Sequence, residues 1–367
     1  MVISENCCIF IVLNYKVLQT IIAMITESKV IELFCMADDF CKFFDAMTAK
    51  YTFKPSAKRK YHRDSTMSKA EIMLIMILFH DSGYRCLKNF YQEKVCRHMR
   101  HFFPKVVSYN RFVELEKDVA IPLAIFIKKV LWGKCTGISF VDSTPLRVCK
   151  NQRIHIHKTF KGIAQRGKCS MGWFFGFKLH LICNKRGELL NFMITPGDVD
   201  DRKPLEYKAF VEFIYGKLVG DKGYIGKNLF QRLFVDGIQL ITKLKSNMKG
   251  ALMSVSDKLL LRKLAIIETV NDELKNIAQV EHSRHRAFDN FIVNLLNAIA
   301  AYCCFRSHVS MLRELLTHSL HYSKFVELTL NELCIVTSKA DMLQTHSVKH
   351  YRANILNYRF PYNKNQY

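Results

Sequence analysis

Carboxylates are the scarce ingredient of this chain. Its 367 residues hold 32 Asp and Glu against 55 Lys and Arg, a formal net charge of +23. That excess makes a polyanion the first partner to consider, nucleic acid or a membrane surface. Long apolar runs are missing as well. Nothing approaches about 18 consecutive apolar residues, which excludes an ordinary membrane-spanning helix. The longest apolar stretch, Ile292 to Phe305, is interrupted by Asn294 and Asn297.

No Cys-x-x-Cys occurs anywhere. The 13 cysteines are odd in number and scattered, with adjacent pairs at Cys7-Cys8 and Cys303-Cys304. This excludes a disulfide framework and a ribbon-type zinc site, and predicts reduced thiols in a cytoplasm. Cys149, His155, His157 and Cys169 fit no familiar zinc-ligand spacing. The apolar run Cys7 to Leu13 follows Glu5 and lacks a small-residue cleavage site, against a secretory signal. Met24 is an alternative start, so residues 1–23 are expected to be a non-native extension.

What is present is a folding composition, 49% hydrophobic, on a chain long enough for one large core and a smaller accessory unit. Residues Ile31 to Ala49 place Leu33, Met36, Phe40, Phe43, Phe44 and Met47 at helical spacing. A basic, proline-containing stretch from Lys54 to Arg63 reads as a linker, either solvated or laid along phosphates. Ser68 is a candidate N-cap for a helix from Ala70 to His80 with Ile72, Leu74, Ile75 and Ile77 as its apolar face. Asp81-Ser82-Gly83 breaks it, a helix from Cys86 to Val95 follows, and Ser108 caps a third. The arrangement is that of a helix-turn-helix, so residues 24–130 are expected to be a helical, DNA-binding domain.

The period changes at Gly137. Ile138 to Val141 read as a buried strand running into Asp142, with Pro145 ending the pairing. A charge beside a dry strand is costly unless it is paired or holds a cation. Two further acids follow similar apolar elements: Leu218-Val219-Gly220 runs into Asp221, and Ile266-Ile267 into Glu268. Three carboxylates on three separate elements suit a pair of hard divalent cations.

A basic loop from Lys150 to Lys168 follows the first strand. Trp173 to Cys183 alternates, Asn184-Lys185-Arg186-Gly187 turns, and Leu189 to Thr195 returns, which predicts a hairpin. Within it Trp173 is expected to pack in the core or to stack on an unpaired base. Helical spacing runs from Arg202 to Tyr215 and from Gly226 to Val235, then a strand over Ile238 to Thr242 and a long helix to about Asn276. Leu260, Leu264, Ile267, Leu274 and Ala278 form the buried stripe of that helix, with Glu268, Asp272 and Lys275 on a neighbouring face. Asp272 and Glu273 are rivals of Glu268 for the third acid. This order predicts an α/β fold: a ribonuclease-H-like mixed five-stranded sheet with helices on both faces, over residues 137–305.

The set Asp142-Ser143-Thr144-Pro145, Gly172 to His180, Asp221-Lys222-Gly223-Tyr224, Ile267 to Lys275 and Glu281 to Arg286 resembles the DDE transposases of bacterial insertion sequences. The family it is most similar to is the insertion-sequence family numbered nine-eight-two. The resemblance implies that Asp142, Asp221 and Glu268 are the catalytic, metal-binding acids. They would use two Mg²⁺ ions, with Mn²⁺ as a substitute, to cut and join double-stranded DNA at the ends of an insertion sequence. It implies a homodimer assembled on DNA, in a bacterial cytoplasm with the nucleoid, and no membrane partner. Lys275 falls on the lysine of a Tyr-x2-Arg-x3-Glu-x6-Lys signature, while Leu261 and Leu264 stand at its tyrosine and arginine positions. Arg262 or Lys263 is then the substitute phosphate cation, and Lys178, Lys158, Arg284 and Arg286 are further DNA-binding candidates. His282 and His285 have no third partner at metal-ligand spacing.

Two other readings remain from the sequence. One is an inactive DNA-binding relic, suggested by Leu264 and by the basic tail 306–367, in which no motif is recognised. The other is a haloacid-dehalogenase-like phosphatase. It would need a second acid at Thr144 and has no place for an antiparallel hairpin.

Overall fold

The structure, a computed structural model, describes residues 27–51, 65–243, 253–281 and 287–306. The 54–63 linker, most of the tail, and Arg284 and Arg286 lie outside these.

The front of the chain is helical. Helix α1 spans Glu27–Tyr51 and α2 spans Lys69–Asp81. Ser68 caps α2 as expected: its hydroxyl accepts from Glu71 N–H at 3.1 Å, and the Glu71 carboxylate accepts from Ser68 N–H at 2.6 Å. The predicted single apolar face is too narrow, because every residue from Ile72 to His80 is buried. A helix that is apolar on all sides belongs in the middle of a core. It packs against α1 and the last helix, so α2 offers no face to DNA. Helix α3, Leu87–Phe90, continues as a π-helical stretch Tyr91–His98; α4, Tyr109–Leu115, is capped by Ser108 and leads through a 3₁₀ turn into α5, Ala120–Phe126.

The sheet has six strands among the described residues. In chain order they are β1 (Ile138–Cys149), β2 (Gln165–Cys169), β3 (Gly172–Asn184), β4 (Leu189–Pro196), β5 (Gly216–Gly220) and β6 (Ile238–Thr242). The β3–β4 hairpin and β6 stand where the sequence put them. The five-stranded expectation is corrected because the end of the supposed basic loop is itself a strand, β2, paired to β3 from Gln165↔Gly176 to Cys169↔Gly172. The order is β2-β3-β1-β5-β6, with β4 also on β3; β1 lies antiparallel to β3 and parallel to β5, and β5 parallel to β6.

Pro145 does not end β1, which pairs with β3 as far as Cys149↔Phe175. The reason is that β5 leaves β1 after Phe140↔Val219. Beyond that point β1 has an open edge, where a residue without an N–H forfeits no ladder bond.

Helices cover both faces of the sheet. Phe140, Phe177, Leu179, Leu181 and Val219 face the helical front in one continuous core. Val141, Ile182, Leu218 and Leu240 face a smaller cluster with Phe210, Leu229 and Leu233. The span 202–215 holds only short pieces, a 3₁₀ turn at Lys203–Glu206 and α6 at Lys208–Val211, before α7 at Lys227–Val235. The long final helix of the sequence reading is two: α8, Val255–Arg262, and α9, Ala265–Asn276. Its stripe is buried as predicted, with Leu260, Leu264, Ile267, Leu274 and Ala278 all in the main core. Helix α10, Phe288–Arg306, closes the fold, and among the described residues no helix is long and apolar enough to cross a membrane.

Candidate functional site

Parallel pairing brings the first two acids to the same end of the sheet. The β1–β5 register ends at Phe140↔Val219, two residues before Asp142 on β1 and two before Asp221, just past the end of β5. Asp142 is half-buried and Asp221 exposed. The third acid, Glu268, is exposed on the first turn of α9. That helix is tied to β1 by Asn271, whose Nδ2 donates to Asp142 Oδ2 at 2.8 Å. The other oxygen, Oδ1, accepts from Ser143 N–H at 2.8 Å.

Burial pushes the Asp142 carboxyl up to about 6; the Ser143 N–H opposes that rise, and the negative charges of Asp201, Asp221 and Glu268 add to it. The three predicted acids therefore share one electrostatic neighbourhood.

Asp201 was missed in the sequence. It follows the β4 end in the run Gly197-Asp198-Val199-Asp200-Asp201-Arg202, a loop without periodicity. The only signal was the density of acids in a chain short of them. Asp201 Oδ1 accepts from Ser143 Oγ at 2.8 Å and from Lys178 Nζ at 2.9 Å, and Lys178 Nζ also donates to Val199 O at 2.8 Å. Next to it, Asp200 is held down to about 2 by the Arg202 guanidinium. Tyr224 packs behind Ser143 with its hydroxyl buried; it lies close to Ser143 but makes no well-formed hydrogen bond there, and burial raises it well above the usual phenol range. His180, on β3 beside Lys178, bonds Thr195 Oγ1 through Nε2 at 2.8 Å, and burial holds it down to about 4, hence neutral at pH 7.

Residues 132–288 match the family model of the transposase DDE domain. The match encloses all four acids and supports a DDE transposase, a family of DNA-cleaving and DNA-transferring enzymes. No curated relative matches the chain. Among solved structures, the cryo-EM structure of a piggyBac transposase synaptic complex with hairpin DNA is similar at a TM-score of 0.40 and 11% identity, over 94% of this chain and 85% of that one.

Around the acids of the DDE segment, the structure sorts the candidate cations. Lys178 is not at the surface: it is buried, and its ammonium is occupied by Asp201 and Val199, so the expectation that it tracks a DNA backbone is corrected. Arg262 is exposed on α8, one turn from Lys258, and both line a cleft with Lys243 and Glu268. Leu261 and Leu264 point the other way, into the core, where a cation would be buried. Lys275 is half-buried on the last turn of α9, about 10 Å along the axis from Glu268. Lys158 is exposed beyond β1. Trp173 is 62% exposed, so the core-packing expectation fails; its place at the start of β3 lies beyond the end of β4.

The donors around Asp142 are oxygens only, which suits a hard cation. Asn271 Oδ1 is buried beside them with no hydrogen-bond partner among the described residues. Among those residues no three His, Cys, Asp or Glu side chains stand at metal-binding spacing. The match to a divalent cation is therefore one of donor chemistry and charge, not of spacing.

Proposed function

We propose that this chain is a transposase that cuts and joins double-stranded DNA at the ends of an insertion sequence, using Mg²⁺ held by Asp142, Asp221 and Glu268. The observation that carries the reading is the clustering of unneutralised carboxylates at the mouth of the β1–β5 pair inside a segment that matches the transposase DDE domain. The β4-β3-β1-β5-β6 pairing, with β4 and β1 antiparallel to β3 and the rest parallel, supports a ribonuclease-H-like core.

The acids cannot meet a phosphodiester unaided, since like charges would repel it. Mg²⁺ at such a site supplies activation of a water or 3′-hydroxyl and stabilisation of the leaving oxygen. The protein's own part is positioning. Ser143 N–H and Asn271 orient the two oxygens of Asp142, leaving its charge uncancelled. Asp201 fixes Ser143 from behind and takes its countercharge from Lys178. Lys243, Lys258 and Arg262 flank Glu268 and would hold the DNA phosphates, with Lys275 as a further contact.

In this reading residues 137–305 are the catalytic unit, and the helical front 24–130 contributes DNA contacts from elements other than α2. Two copies hold two DNA ends in a bacterial cytoplasm, and the affiliation is with the insertion-sequence family numbered nine-eight-two. Lys158 is a further DNA contact, as are Arg284 and Arg286, which lie outside the described residues.

The test is strand cleavage and joining on oligonucleotides carrying the element's ends, with Mg²⁺ or Mn²⁺. The native chain should be active, and Asp142→Ala, Asp221→Ala and Glu268→Ala should each abolish activity, the exposed Asp221 and Glu268 substitutions leaving the melting temperature near the native value. Binding without any cutting under these conditions would replace this reading with that of an inactive DNA-binding protein.

A further inference from the structure

Strands β2 and β3 form a hairpin whose tip is apolar and exposed. Cys169 pairs with Gly172 across the two-residue turn Ser170-Met171, and Gly172 adopts a φ of +105°, which only glycine takes readily. At this tip Met171 is 82% exposed and Trp173 62%. A tryptophan left in water forgoes the stabilisation that burying its ring would give. The tip is nevertheless held in place. Trp173 stands directly across from Lys168, whose ammonium lies 6.0 Å from the ring centroid. The Trp173 carbonyl accepts from Asn151 Nδ2 at 2.8 Å, which fastens the tip to the turn Asn151–Ile156.

The chain on either side of the tip carries charge of one sign. From Ser143 to Gly187 there are ten Lys and Arg and no Asp or Glu. Lys150, Arg153, Lys158, Lys161, Arg166 and Lys168 are all exposed, and among the described residues none is in an ion pair. Cations left without partners around an exposed indole suit a polyanion that carries aromatic faces. That is a nucleic-acid strand rather than an ordinary protein surface.

We propose that the β2–β3 tip is a stacking site for an unpaired nucleobase, with Trp173 taking the base and the neighbouring cations holding the phosphates of the same strand. The base must be unpaired, because a duplex hides its faces between neighbours. Trp173 lies eight residues along β3 from Leu181, the partner of Asp142, which is about 26 Å of strand and about eight nucleotide steps. The tip therefore engages DNA away from the reacting phosphate. The inference rests on the DNA reading above and names a second contact for it.

The test uses the full chain and two labelled duplexes of one sequence, fully paired or with a three-nucleotide unpaired stretch carrying 2-aminopurine. The native protein should prefer the partly unpaired duplex by about tenfold and shift the 2-aminopurine emission. Trp173→Ala should lose both effects, with affinity for the paired duplex and its salt dependence unchanged, and Trp173→Phe should keep part of the preference. If Trp173→Ala matches the native protein on both duplexes while DNA is still bound and cut, the stacking site is overturned and the transposase reading stands. If Trp173→Ala instead lowers the sedimentation coefficient of the DNA-free protein and leaves the preference intact, the tip is a self-association surface and the proposal falls. If the native protein binds neither duplex, both readings fall together.

Discussion

Asn271 donates a 2.8 Å hydrogen bond to Asp142 while standing three residues after Glu268 on the same helix. The distance between the first and third acids is thus set by a neutral amide. An arginine or lysine in that place would cancel the negative charge of Asp142. The neutral tie keeps the negative potential and fixes the geometry together.

Removing that tie should cost both stability and chemistry. Asn271→Ala should lower unfolding free energy by about 1.5–3 kcal/mol, the range for a hydrogen bond to a charged group. DNA cleavage should fall more steeply than DNA affinity. Urea denaturation and single-turnover cleavage measure the two effects, and an unchanged urea midpoint with native cleavage would remove Asn271 from the argument. Asn271→Asp should be worse than alanine, since it sets a fourth negative charge against Asp142, and added Mg²⁺ should recover part of its loss.

The Lys178–Asp201 pair makes a different prediction. Lys178 is 8% exposed, so truncating its partner strands a charge in the interior. Asp201→Ala should destabilise by about 3 kcal/mol, less whatever solvent reaches the half-exposed carboxylate. Lys178→Met should be costly on its own, through the loss of the Val199 contact and the unpaired Asp201. The double substitution should be much milder than the sum of the two. Strict additivity in a thermal or urea double-mutant cycle would mean that the pair is not a unit.

Much of this was legible where a local rule decides the outcome. Ser68 and Ser108 cap helices because their side chains meet the orphan N–H groups of the first turn, whatever the surroundings. The β3–β4 hairpin followed from alternation and a Gly-containing turn. What was misread depends on neighbours that sequence does not name. Pro145 ends a strand only when a partner needs its N–H, and β5 had already left. Lys178 looks like a surface cation until Asp201 arrives from a loop 23 residues on. Trp173 alternates like a core residue, yet it sits where no fourth strand reaches to cover it. The all-round burial of α2 was readable in Ile72 to Phe79, an unbroken apolar run that a one-sided reading underused.

Glu116 sets a pH dependence far from the acids. It is 3% exposed, one of its oxygens has no hydrogen-bond partner among the described residues, and burial raises its carboxyl from 4.5 to about 8. A folded-state value above the unfolded one means that the folded protein holds the proton more tightly. Its contribution is therefore complete below pH 4.5 and is lost as pH rises towards about 8. Glu116→Gln keeps the shape and cannot ionise. It should be more stable than the native protein at pH 8, by on the order of a few kcal/mol, and melt higher, with the gap closing by pH 5. Parallel melting curves over that range check it, and a constant gap would mean that Glu116 is neutralised by another route.

Leu264 offers the sharpest contrast between a motif and a fold. The family signature asks for an arginine there, which invites the substitution Leu264→Arg as a repair. The structure argues against it, because Leu264 is 5% exposed in the main core alongside Leu260, Leu261 and Ile267. A guanidinium at that position would be buried without a partner at a cost of about 3 kcal/mol or more. Leu264→Arg should unfold at lower urea and should not raise cleavage. Arg262, exposed one turn from Lys258, already places a cation in the cleft with Glu268. Arg262→Ala should leave stability within about 0.5 kcal/mol. It should weaken DNA binding and make the logarithmic salt slope shallower by about one. A Leu264→Arg protein that folds like the native chain and cuts DNA faster would show that the turn between α8 and α9 can rotate this position outward, and the cation assignment would move from Arg262 to residue 264.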